Sequence, residues 1–147
     1  MTNTDDTALR LERLIPSPPE VLFALWIDPA ELVKWWAPDG YAAMVDTLDV
    51  RPGGRWRTRL RRADGFMIAA SGMFRVVEPP RNLAFTWAWE DAASKRGHET
   101  EVSVTFEAAP GGTRLVLQQQ RFEDKVACDR HAIGWSESIA RMARIAS

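Results

Sequence analysis

Residues 55–76, RWRTRLRRADGFMIAASGMFRV, carry the pattern on which the fold turns. Trp56, Thr58 and Leu60 alternate with Arg55, Arg57, Arg59 and Arg61, a period of two that belongs to a strand with one buried face and one arginine-covered face. Asp64 and Gly65 supply a tight hairpin turn, and the run after it sets Ile68, Ala70, Gly72, Phe74 and Val76 on one side. Pro79 and Pro80 stop that strand. The alternation then repeats: Leu83, Phe85, Trp87 and Trp89 share a face, as do Thr100, Val102, Val104 and Phe106. After a turn at Pro110, Gly111 and Gly112, a strand over 113–122 directs Leu115, Leu117, Gln119 and Arg121 to the same side. Weaker alternation over 9–14 and 45–50 brings the total to six or seven antiparallel strands joined by short connections.

Between the first strand and this meander the period is helical. Ser17, Pro18, Pro19 and Glu20 form a capping-box pattern, and Asp28, Pro29, Ala30 and Glu31 repeat it with aspartate as the cap. The first short helix gathers Val21, Leu22, Leu25 and Trp26 on one face; the second gathers Leu32, Trp35 and Trp36 before Pro38 and Gly40 end it. The longest helical pattern covers 124–146, with His131, Trp135, Ile139, Met142 and Ala146 at spacings of three and four. Such a helix is some 30 Å long. Its apolar stripe has to lie across the inner face of the sheet.

The chain of 147 residues has the size of one compact domain, so a single domain over 1–147 is expected, with the polar residues 1–7 disordered. A net charge of -1 gives no reason to expect a nucleic acid or an anionic membrane as partner. Apolar runs of only a few residues fall far short of the roughly 20 needed to span a bilayer, and the start lacks a signal-peptide pattern, so a cytoplasmic location is expected. Cys128 is alone, two histidines cannot complete a tetrahedral zinc site, and Gly53 and Gly54 lead into a strand instead of the helix a phosphate loop needs. No metal or cofactor is therefore expected. The arginine run reads as a solvated sheet face, with Glu99, Glu101 and Glu107 on the corresponding face of a later strand as candidate ion-pair partners.

Element order adds a resemblance. A strand, two capped short helices, a strand meander and one long final helix resemble the helix-grip fold of the START-like (SRPBCC) superfamily, an α+β fold in which a curved antiparallel sheet wraps a long helix. Several marks are similar to those of the family named for homologues of the activator of the Hsp90 ATPase: 28–36 with Pro38 and Gly40; Arg51, Pro52, Gly53, Gly54 and Trp56; Gly72, Phe74, Pro79 and Pro80; Gly112 to Leu115; Gly134 and Trp135. These residues shape turns and a cavity, so the resemblance carries no catalytic motif. It implies a cavity between the helix and the sheet.

Seven tryptophans lie on the elements expected to face that interior. Aromatic residues fill ordinary cores, yet every indole brings an N–H that needs a partner, and several around one concavity suit a flat or apolar guest. Trp26, Trp36, Trp56, Phe74, Trp87, Trp89 and Trp135 are the candidate walls, with Trp87 and Trp89 the leading pair. Thr58, Thr100, Gln119, Arg121 and His131 are the polar groups in phase with them. Three functions stay open: binding of a small apolar or aromatic molecule; an enzyme on the same cavity, of cyclase, hydrolase or lyase type, with His131 or Glu99 as proton carrier; and, from the resemblance, a chaperone-type interaction with Hsp90 or a bacterial counterpart. Adjacent strand residues point to opposite faces, so His98 and Glu99 do not form an acid-base pair. Homodimerisation is left open by the small size and aromatic content.

Overall fold

The computed structural model describes residues 7–146. The disorder expected for 1–7 thus falls, Thr7 apart, outside the described residues; the Thr7 carbonyl accepts the Phe122 N–H at 3.1 Å. In chain order the elements are β1 (Ala8–Ile15), α1 (Pro19–Ile27), α2 (Pro29–Leu32), β2 (Tyr41–Leu48), β3 (Arg55–Arg62), β4 (Met67–Glu78), β5 (Asn82–Glu90), β6 (Thr100–Ala109), β7 (Gly112–Gln120) and α3 (Lys125–Ala146). Seven strands form one antiparallel, curved sheet in the order β1-β7-β6-β5-β4-β3-β2. This is the α+β helix-grip architecture expected from the sequence.

The sheet order explains the path of the chain. β1 and β2 lie at opposite edges, and α1 and α2 carry the chain between them, α1 against β6 and α2 against β2. With 22 residues, α3 runs about 33 Å and packs on β1 and α1. Its weight therefore falls on the β1 half of the concave face. Space is left over β3 and β4.

Alternation predicts the buried faces well where strands are regular. Trp56, Thr58 and Leu60 are buried, as are Leu83, Phe85, Trp87, Val102, Val104, Phe106, Leu115, Leu117 and Gln119. Val76 departs from this pattern: a bulge between Phe74 and Val76 flips the phase, so Val76 is exposed and Val77 packs on the core. In α1, Ser17 is not the cap; Pro18 occupies that position without a side-chain hydrogen bond, and Phe23 is buried where Val21 is exposed. Asp28 does cap α2, its Oδ1 accepting from the Ala30 N–H at 3.0 Å. Gly72 is needed for close packing, since a Cβ there would stand 1.8 Å from the Thr86 carbonyl oxygen and 2.6 Å from Trp56 Nε1.

The arginine face finds other partners than those expected. Arg57 pairs with Asp46 and Glu90, and Arg59 with Asp46 at 2.8 Å. Glu99, Glu101 and Glu107 cannot serve β3, because β4 and β5 separate it from β6. Asp46 owes its position to a bulge between Val45 and Thr47, which aims it at two arginines on the neighbouring strand. The hydrogen bonds from Arg57 hold the Glu90 carboxyl below the usual carboxylate range, and those from Arg59 do the same for Asp46.

Candidate functional site

The seven indoles divide into a filled group and an open one. Trp26 packs against Trp35 with the rings tilted and their centres 4.5 Å apart, while Trp35 donates to the Leu25 carbonyl at 2.9 Å and Trp56 to the Thr86 carbonyl at 3.0 Å. Among Trp26, Trp56, Phe74, Phe85 and their neighbours only about 10 Å³ is left, room for one water at most. Trp26, Trp56 and Phe74 are thus packed core and take no part in the open cavity.

Trp36, Trp87, Trp89 and Trp135 bound a cavity of about 600 Å³ between α3 and the sheet. Leu60 of β3 and Ile68 of β4 close one side, Ala37 and Pro38 another, and Ala127, His131, Gly134 and Ser138 of α3 form the roof. Glu123, Arg130, Ile133 and Glu137 stand at the mouth, the first three of them exposed. This volume lies within the roughly 300–1,000 Å³ typical of small-molecule sites. The Trp87 and Trp89 rings meet edge to face at 5.4 Å, as two side chains of one strand face should.

A hydrogen-bond chain ties the polar candidates together behind the wall. Trp89 Nε1 donates to His131 Nε2 at 2.9 Å, which leaves the imidazole proton on Nδ1, where it is donated to Gln119 Oε1 at 3.1 Å. The same Oε1 accepts from Trp135 Nε1 at 2.7 Å. Gln119 Nε2 donates to Thr100 Oγ1 at 2.7 Å, and Thr100 donates onward to the Trp87 carbonyl at 3.3 Å. Separately, Trp36 Nε1 donates to Thr58 Oγ1 at 3.0 Å. Burial pushes the His131 pKa down to about 4, so the ring is neutral at ordinary pH, as its accepting Nε2 requires. Both its nitrogens are engaged.

Two polar candidates lie elsewhere. β7 ends at Gln120, and Arg121 adopts a φ of 70° that turns the chain away, leaving its side chain 71% exposed beside Glu101. Strand alternation does not extend to it. Glu99 pairs with Arg96 at 2.9 Å in the exposed β5–β6 connection, and His98 contacts the Arg121 carbonyl, so neither lines the cavity. The sequence reading missed Ser138, Gly134, Pro38 and the mouth residues Glu123, Arg130 and Glu137. Leu60 and Ile68 had been phased inward, and Gly134 stands beside Trp135 in the family marks, but the charged mouth carries no local signal.

Among the described residues no helix is long and apolar enough to cross a membrane. The chain is similar to several solved structures. One is the AHSA1 protein from Silicibacter pomeroyi, at 36% identity, a TM-score of 0.84, and coverage of 93% of this chain and 95% of that one. A protein from Chromobacterium violaceum shares 24% identity with a TM-score of 0.89 over 97% and 98% of the two chains, and one from Arthrobacter aurescens 22% with 0.87 over 96% and 87%. The comparison with curated proteins finds no match. The model of the family described as Activator of Hsp90 ATPase homolog 1-like protein matches residues 16–147, and with the START-like fold around the cavity this shows that the chain belongs to that family.

Proposed function

We propose that the protein binds a small, largely apolar or aromatic molecule in the cavity between α3 and the sheet, acting in the cytoplasm. One observation carries this reading: four indoles surround about 600 Å³ of space while most of their N–H groups are already bonded to protein acceptors. Such a wall presents ring faces and edges to a guest and asks for few polar contacts in return. His131, the proton carrier considered above, has both nitrogens committed to Trp89 and Gln119, so binding takes precedence over catalysis. The family name also supports a chaperone partner, which a rise in Hsp90 ATPase turnover on adding the chain would favour.

Gly134→Leu tests the cavity reading. A Cβ at Gly134 meets only the Pro38 Cβ, at 3.9 Å, so the fold accommodates it while the longer side chain fills the space beneath. Stability should hold or rise by up to about 1 kcal/mol, because glycine is the poorer helix former. Titration calorimetry with 2-isopropylnaphthalene should show saturable binding to the wild type and at least tenfold weaker binding to the variant. Absence of binding to the wild type, or equal binding to both, contradicts the proposal.

A further inference from the structure

We infer that the solvent face of α3 is the contact surface for a second copy of this chain, packed against it antiparallel about a two-fold axis. The inference goes beyond the binding reading and does not depend on the guest. It starts from a charge pattern. Glu123, Arg130, Glu137 and Arg144 alternate in sign at intervals of seven residues, the first in the turn ahead of the helix and the others within it. Seven residues fall only about 20° short of two full turns, so the three helical members share one face. Val126 and Ile133, also seven apart, lie among them on that face.

These two apolar residues, 59% and 64% exposed, are the most exposed large hydrophobic side chains among the described residues. Trp135, Ile139 and Met142 already supply the buried face of α3, on the opposite side. The four charges are equally unspent within the chain. Other charged residues of the helix pair locally, Lys125 with Asp129 at 2.8 Å and Arg141 with Asp39 at 3.2 Å. Among the described residues no ion pair includes Glu123, Arg130, Glu137 or Arg144. Glu137 accepts the Asp39 N–H with Oε1 at 3.1 Å, which leaves Oε2 for a partner. Residues seven apart are separated by about 10.5 Å along a helix, too far to neutralise one another.

The order of signs says which partner fits. Two copies laid side by side in the same direction and register would set like charges together. Turned antiparallel about a two-fold axis passing between Ile133 and Gly134, they bring Arg130 opposite Glu137 of the second copy and Glu123 opposite its Arg144, every contact made twice. Ile133 then meets the small Gly134 of the other helix, which lets the backbones approach closely. A face that complements itself at all four charges fits a second copy better than an unrelated protein. Glu123, Arg130, Ile133 and Glu137 also stand at the cavity mouth, so each copy lies across the other's opening. One helix pair is a small interface, and association in the micromolar range is expected.

Charge reversal tests both the pairing and its register. Sedimentation equilibrium should find the wild type associating to twice the chain mass. Arg130→Glu sets a carboxylate opposite Glu137 twice, and Glu137→Arg sets a guanidinium opposite Arg130 twice, so each variant alone should associate at least about tenfold more weakly. An equimolar mixture of the two restores opposite charges at both places and should dimerise within about threefold of wild type. Unchanged thermal midpoints check that the fold is intact. Should Glu137→Arg fail that check through the lost Asp39 contact, Glu123→Arg and Arg144→Glu form an equivalent set. A wild type that stays monomeric up to millimolar concentration overturns the proposal and leaves the face to a different partner. Single variants that associate as the wild type does, or a mixture as weak as its components, overturn it as well.

Discussion

Gln119→Leu is expected to lower stability by about 3–5 kcal/mol, a large share of the 5–15 kcal/mol that holds a domain folded. Leucine matches the volume closely enough that packing is not the cause. Gln119 has no exposed surface, and its single Oε1 serves the Trp135 and His131 donors at once, while its Nε2 serves Thr100. Removing it leaves an indole N–H and an imidazole N–H in an apolar interior without acceptors, each costing roughly 1–3 kcal/mol. Those are also the side chains that form the roof and one wall of the cavity, so guest binding should weaken together with stability. The neighbouring Gln118 is exposed on the opposite face and provides the control. Urea unfolding should place Gln118→Leu within about 0.5 kcal/mol of wild type. Equal costs at 118 and 119 would show that the buried network is not what holds these rings.

Acidification supplies the second large effect. Burial depresses the His131 pKa from 6.5 to about 4, so above pH 6.5 the ring is neutral in both folded and unfolded chains and the difference costs nothing. As pH falls, the unfolded chain takes up its proton first, and stability is lost between about pH 6.5 and 4, reaching about 3 kcal/mol at the lower end. The geometry gives the same sign: a proton on Nε2 would face the Trp89 N–H, donor against donor. His131→Gln cannot titrate, and unfolding midpoints measured across this range should lose that slope. Asp46 and Glu90, held low by their arginines, lose their stabilisation only as pH falls below the ordinary carboxylate range, so their contribution persists in the variant. A variant that keeps the full slope above pH 4 would assign it to other groups.

How much of this was legible in the sequence follows from how local each determinant is. Trp87 and Trp89 on one face, Thr58 beside Trp56, and Gln119 in phase with Leu117 all follow from the two-residue period, because one face of the sheet is buried throughout. Val76 and Arg121 broke the pattern where the backbone did, at a bulge and at a left-handed residue, and neither break is written in the alternation itself. Asp46 illustrates the same point in reverse, since a bulge placed it against two arginines that sequence spacing had assigned to β6. The division of the indoles into packed and open groups depends on where α3 rests. It lies toward β1, leaving Leu60 and Ile68 to line the cavity, and that choice is tertiary. For the same reason nothing local in the sequence marks Ser138 as a residue of the cavity wall.

Indole N–H resonances offer the most direct view of whether the space beneath α3 takes a guest. Each of the seven tryptophans contributes one signal in a proton–nitrogen correlation spectrum, and titration with 2-isopropylnaphthalene reads them separately. The signals of Trp36, Trp87, Trp89 and Trp135 should move, saturating together, while those of Trp26, Trp35 and Trp56 stay nearly fixed in the packed group. Movement confined to the packed three, or no saturable movement in any, would contradict the account.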